Sequence, residues 1–170
     1  MLFLAPRYAA VRGSRGGASA TLSPARDTAR AMSQENVEIV RRSFEAFRAG
    51  LERGDPEIGL DPEAVANDFE WVAAEPLDGR SVWYGLAGFV EFTRNWTEEF
   101  EDWSIRVERL IDAGDDRVVA LTHQWATGKG SGVPVELDLG QVWELEAGHV
   151  ARVTSYLTHA EALEAAGLSE

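Results

Sequence analysis

Cysteine is absent from this chain. That one absence removes a disulfide framework, a thiolate zinc site, an iron–sulfur cluster and a cysteine nucleophile. Long apolar runs are missing as well, since no stretch approaches the roughly 20 residues that cross a bilayer. Basic residues are scarce beside acidic ones, 16 against 29, for a net charge of −13. A phosphate backbone or an anionic lipid surface is repelled by that charge, so neither nucleic acid nor membrane is expected as a partner. No dinucleotide fingerprint, kinase motif or nucleophile elbow occurs, and the glycines of 128–132 lack the Lys-Ser/Thr ending of a phosphate loop. His123, His149 and His159 lack the close spacing of a helical zinc pair, so no metal and no cofactor is expected. What remains is a thiol-free, acidic chain of 170 residues and 18.6 kDa. It is long enough for one domain with a real core and is suited to a reducing cytoplasm.

The composition breaks near Met32. Residues 1–31 carry five Arg and one Asp, whereas the remaining 139 carry 11 basic and 28 acidic residues. The leading segment is rich in Gly, Ser, Ala and Arg and has no apolar period, so it has little surface to bury against the entropy of ordering. Residues 1–31 are therefore expected to be a disordered leader or a mis-assigned start, and 32–170 the domain. From there Ser33 caps a helix carrying Val37, Val40, Phe44, Phe47 and Leu51 at helical spacing, to about Gly50. Asp61-Pro62-Glu63 opens a second short helix ending near Asn67. Phe69–Ala73 reads as a strand, Glu75-Pro76-Leu77-Asp78-Gly79 as a turn, and Ser81–Tyr84 as a further strand. Leu86, Phe89, Val90, Phe92, Trp96 and Phe100 then form the apolar stripe of another helix.

After Trp103 the period falls from 3.6 to 2, predicting four strands in an antiparallel meander with turns at 114–116, 128–132 and 146–148. Ala160–Ala166 closes the chain as a short helix ended by Gly167. Helices followed by a meander make an α+β pattern in which helices cover the apolar face of a sheet. In 133–145, Val135, Leu137, Leu139, Gln141, Trp143 and Leu145 share one face, while Glu136, Asp138, Glu144 and Glu146 take the other, which meets water. In 117–127, Val119, Leu121, His123, Trp125 and Thr127 share a face, and this is read as the apolar, inward one.

Five phrases in this order are similar to the SnoaL-like members of the NTF2-like superfamily. They are Ser33-Gln34-Glu35-Asn36-Val37-Glu38-Ile39-Val40-Arg41-Arg42, Trp83-Tyr84-Gly85-Leu86-Ala87-Gly88, Ile111-Asp112-Ala113-Gly114, Gly148-His149-Val150, and Glu161-Ala162-Leu163-Glu164-Ala165-Ala166-Gly167-Leu168. The resemblance covers 32–170. It implies a conical barrel in which a bent antiparallel sheet wraps around N-terminal helices and leaves a pocket open at one end. It also implies a homodimer. The superfamily includes polyketide cyclases, ketosteroid isomerases, a limonene epoxide hydrolase, a scytalone dehydratase and proteins without demonstrated chemistry, so fold alone does not choose a function. The expectation is a pocket for a small apolar or cyclic molecule. That pocket would belong to a cofactor-independent acid–base enzyme of isomerase, cyclase or hydrolase type, or to a non-catalytic ligand-binding or associating module.

Six tryptophans stand out. Trp71, Trp83, Trp96, Trp125 and Trp143 are candidate pocket walls, with plain core packing as the alternative. His123 is the only histidine inside a strand and is a candidate proton donor or acceptor, or else a buried and satisfied side chain. Tyr156 and Gln141 are candidates to orient or polarise a substrate oxygen, and Glu75 is a reserve base at the mouth or a solvated turn residue. The family often keeps Asp two residues after such a Tyr, but Thr158 stands there, and a hydroxyl is no base without activation. Together these residues predict a cavity faced by His123, Gln141 and Tyr156 and walled by Trp71, Trp125 and Trp143.

Overall fold

A computed structural model describes residues 24–55, 60–77 and 79–169. Helix α1 spans Pro24–Arg53 and is followed by a single 3-10 turn at Pro62–Ala64. Strands β1 (Val65–Leu77) and β2 (Arg80–Tyr84) lead into α2 (Gly85–Glu99). Strands β3 (Phe100–Gly114), β4 (Arg117–Gly128), β5 (Pro134–Glu146) and β6 (His149–Tyr156) come next, and α3 (His159–Ala165) ends the fold. The six strands form one sheet in the order β2-β1-β6-β5-β4-β3. The arrangement is α+β, as expected, and the sheet does not close, because β2 and β3 are both edges. The sheet is mixed rather than wholly antiparallel. β1 runs parallel to β6, and the two are far apart in the chain, as a parallel pair requires.

Helix α1 begins nine residues before Ser33, the expected start. Residues 25–32 are all exposed, so no apolar stripe marks these turns, whereas Pro24 at the first position and Asp27 in the first turn suit a helix start. The expectation for 1–23 lies outside the described residues. Further along, the apolar positions of α1 dock on the sheet, and two hydrogen bonds fix the helix against the far end of the β3–β4 hairpin. Ser33 Oγ donates to Asp112 Oδ2, and Asn36 Nδ2 donates to Asp116 Oδ1 at 3.0 Å.

The second expected helix shrinks to the 3-10 turn. Asp61 caps it by accepting from the Glu63 N–H at 3.0 Å, and β1 starts at once. Strand β1 is longer than expected and keeps Glu75, Pro76 and Leu77 in extended backbone rather than in a turn; Asp78 lies outside the described residues. Helix α2 starts on Gly85, whose φ of +66° is the left-handed backbone that a side chain disfavours.

Two apolar layers result. Helices α1 and α2 lie on the inner face of the sheet, where Val40, Phe44, Phe47, Phe69, Trp71, Phe89 and Trp143 belong to one buried cluster. On the outer face the short α3 covers Val119, Leu121 and Val142 with Ala162, Leu163 and Ala166. The cap of α3 is reciprocal: Thr158 Oγ1 accepts from the Glu161 N–H, and the Glu161 carboxylate accepts from the Thr158 N–H.

Candidate functional site

Between the helices and the inner face of the sheet lies a cavity of about 350 Å³, within the range of small-molecule sites. Each element delivers side chains to it by its own period. Helix α1 contributes Ser43, Phe44 and Phe47, and α2 contributes Phe89, Phe92, Thr93 and Trp96. Strand β5 contributes Val135, Leu137, Leu139, Gln141 and Trp143, every second residue, as alternation requires. Strand β1 brings Trp71 and, toward the rim, Glu75; β3 brings Trp103 and Ile105; β4 brings Gln124; Ser155 comes from the end of β6 and Leu157 from just beyond it. The wall is strongly aromatic. Trp71 packs 4.7 Å from Phe89 between ring centroids, Trp96 packs 4.9 Å from Phe100, and Phe44 packs 5.2 Å from Trp143.

Polar groups in the wall are few. Trp143 Nε1 donates to Gln141 Oε1, and Trp103 Nε1 donates to Gln124 Oε1, both at 3.1 Å. The Gln124 amide nitrogen goes on to Thr122 Oγ1 at 3.3 Å, and that hydroxyl donates to the Leu139 carbonyl. Thr93 and Ser155 are buried, and their hydroxyls, like the indole N–H groups of Trp71 and Trp96, have no partner among the described residues. Glu75 is the one ionisable residue among those lining the cavity, and it is exposed.

The structure therefore divides the expected site. Trp71, Trp96, Trp143, Gln141 and Glu75 line the cavity. Trp83 does not; it is fully buried in the adjoining core with the Arg80 guanidinium 3.6 Å above its ring. His123, Trp125 and Tyr156 project to the outer face, so the predicted meeting of His123, Gln141 and Tyr156 does not occur. The register shows why. His123 lies opposite Asp138 and Trp125 opposite Glu136, while Gln124 lies opposite Leu137. Val118 through Thr122 are buried on both faces, inward under the helices and outward under α3, so hydrophobicity alone could not tell which parity of β4 faced in.

On the outer face His123 Nδ1 sits 2.7 Å from Asp138 Oδ1, and this hydrogen bond holds the Asp138 carboxyl below its ordinary value. Trp125 is 39% exposed beside it, with ring centroids 5.7 Å apart. Tyr156, opposite Gly140, packs on the cluster under α3.

Sequence reasoning missed Trp103, Gln124, Thr93 and Ser155. Two of them left a signal. Thr93 is the polar position between Phe89 and Trp96 in the helical stripe, and Ser155 falls opposite Gln141 once the hairpin is folded at 146–148. Among the described residues no group of three or more His, Cys, Asp or Glu could hold a metal, and no helix is long and apolar enough to cross a membrane.

The fold and cavity define a class: an α+β domain whose open sheet and two helices flank an apolar pocket. The sequence profile of the SnoaL-like domain matches residues 40–153, and the chain belongs to that family. Solved structures share the fold. An NTF2-like protein of unknown function from Burkholderia pseudomallei is 22% identical, with a TM-score of 0.60 over 76% of this chain and 95% of that one. A protein with a ketosteroid isomerase-like fold from Catenulispora acidiphila, solved with trimethylamine, is 16% identical, with a TM-score of 0.57 over 78% of this chain and 94% of that one. A candidate SnoaL-like polyketide cyclase from Jannaschia is 20% identical, with a TM-score of 0.56 over 85% of this chain and 94% of that one. A search of curated proteins finds no match.

Proposed function

We propose that this protein binds a small, neutral, apolar molecule in the cavity and that binding rather than proton transfer is its activity. The observation that carries the reading is the wall itself. It is aromatic and aliphatic, its polar groups are amides, hydroxyls and indole N–H groups, and its one ionisable member stands at the exposed rim. A proton-transfer site needs a titratable group within reach of the reacting atom. His123 and Tyr156, the strongest candidates on chemical grounds, lie across the sheet from the cavity. Native mass spectrometry of the protein purified from its own host tests the reading. A retained small molecule above the 18.6 kDa chain mass supports it. An empty protein that also takes up no apolar compound at micromolar concentration overturns it.

A second reading is favoured by Glu75, whose position on the cavity wall gives a carboxylate access to whatever enters the mouth. The Jannaschia protein is described as a candidate cyclase, and general-base chemistry of that broad kind would use such a group. Turnover of a cyclic ketone or ester that falls on the order of 10²-fold in Glu75→Gln would establish it.

The assembly belongs to the same proposal: two copies pair about a twofold axis over the outer sheet face, where Trp125 is exposed. Light scattering should give twice the chain mass. A mass of one chain across the micromolar range would refute the pair.

A further inference from the structure

Trp103 lines the cavity from β3, and a second, smaller void lies against the same side chain. That void, of about 10 Å³, shares Trp96, Phe100, Trp103, Gln124 and Leu137 with the main cavity and adds Trp125 and Ala126. Glu75, at the exposed rim, is on β1. In the sheet order β1 and β3 are four strand spacings apart, on the order of 19 Å along the surface. The cavity thus runs across the sheet from a wet rim to an aromatic end wall.

That wall is fixed in place. Trp103 Nε1 donates to Gln124 Oε1 at 3.1 Å, Gln124 Nε2 donates to Thr122 Oγ1 at 3.3 Å, and the Thr122 hydroxyl donates to the Leu139 carbonyl at 3.0 Å. Every link has its donor and its acceptor, and a satisfied chain of this kind rigidifies the side chains in it. The Trp103 ring also meets Phe47 edge-on at 5.5 Å and Trp96 at 6.1 Å between centroids. The backbone beside it is irregular. Glu101 pairs with Thr127 and Ser104 with Trp125, so two residues, Asp102 and Trp103, span the single Ala126, and Asp102 takes a left-handed φ of +54°. A bulge with two residues against one re-aims a side chain that plain alternation would place elsewhere.

We infer that Trp103, held by Gln124, sets the length of molecule that the cavity accepts. The inference rests on the proposed binding function and adds the ligand's size to it. An apolar cavity of about 150 Å³ takes up one benzene ring, so the cavity here, about 350 Å³, has room for two rings in line. A longer molecule whose polar end stays at the rim meets the indole before it reaches the second void. To pass, it must displace a packed ring and break the bond to Gln124. Trp103 touches the ligand; Gln124 is a positioning residue that acts through it.

The test titrates the full chain by calorimetry with three neutral alcohols of one design: benzyl alcohol, 4-biphenylmethanol and the 4′-propyl derivative of 4-biphenylmethanol. The biphenyl compound should bind at least about tenfold tighter than benzyl alcohol, from its second buried ring. The propyl compound should bind about tenfold more weakly than its parent, because its tail runs into the wall. In Trp103→Ala that order should reverse, with the propyl compound at least about tenfold tighter, since each buried methylene adds roughly fourfold. Gln124→Leu should shrink the propyl penalty to about threefold or less and leave the other two affinities in place. A merely structural role for Gln124 would lower the urea midpoint without changing the ratio of the two biphenyl affinities. If Trp103→Ala fails to fold, Trp103→Phe keeps an aromatic contact with Phe47 and carries the same comparison. The same order of affinities in every variant, or a propyl compound that binds the native chain more tightly than its parent, overturns the role of Trp103 and leaves the binding function standing. Binding of none of the three overturns both.

Discussion

Trp143 donates its indole N–H to Gln141 Oε1, two residues back along β5, at 3.1 Å, and both side chains are buried. The bond gives the glutamine one orientation and the cavity floor one polarity. Gln141→Leu leaves the indole donor buried and unpaired, so it should destabilise the fold by about 1–3 kcal/mol, read as a lower urea midpoint with an unchanged slope. Adding Trp143→Phe removes the stranded donor. The double variant should therefore lose less than the sum of the two single losses, a coupling that a double-mutant cycle measures directly.

Gly140 holds β5 against α3. A Cβ built there lies 2.3 Å from Ala162 Cβ and 3.0 Å from the Thr158 carbonyl, closer than packed atoms allow. Gly140→Ala must push α3 off the sheet, at a cost on the order of 1–3 kcal/mol in thermal unfolding. Ala162→Gly in the same chain makes room and should recover part of the loss. A Gly140→Ala protein as stable as the parent would show that α3 yields freely.

Asp138 supplies the pH dependence that the structure makes explicit. The hydrogen bond with His123 holds its carboxyl below the ordinary value of 3.8, so the ionised form favours the fold. Its contribution is complete above about pH 3.8 and is lost as the pH falls through the lower value of the folded state. The carboxyl carbon-13 shift of Asp138 should titrate below the ordinary range, and in His123→Ala it should move back up. An Asp138 carboxyl that titrates at 3.8 in both proteins would exclude the pair.

The parts of this fold that read well in sequence are those buried on one face only. β5 alternates cleanly because Glu136 and Asp138 are exposed while Val135, Leu137, Leu139, Gln141 and Trp143 face the cavity, and so all five of its cavity residues are legible. β4 is buried on both faces from Val118 to Thr122. With no solvated side to calibrate the alternation, His123 and Trp125 were assigned to the cavity in place of Gln124. On β6 the charge of Arg152, which pairs with Glu70 at 3.1 Å, marks the outer face that Tyr156 also occupies, a clue outweighed by the family's tyrosine. The parallel pairing of β1 with β6 and the exposed first turns of α1 depend on contacts, or on their lack, that periodicity does not encode.

Those exposed turns bear on truncation. Residues 25–32 are exposed, and just beyond them Ser33 ties α1 to Asp112 of the β3–β4 hairpin. A chain beginning at Met32 keeps that anchor and every core position of α1. Its melting temperature should match that of the full chain. A drop of many degrees would mean that residues 1–31 dock on the domain.

The two faces of β4 make separable predictions about function. If the activity resides in the cavity, His123→Ala changes a hydrogen bond on the outer face and should shift the affinity for an apolar ligand by less than about twofold, well under the value of one hydrogen bond. Leu139→Trp adds bulk to a side chain that lines the cavity and should weaken every apolar ligand, because it takes up the space itself. Thermal melts of both variants separate loss of binding from loss of fold. The opposite pattern, with His123→Ala abolishing binding and Leu139→Trp leaving it intact, would move the site to the outer sheet face beside Trp125.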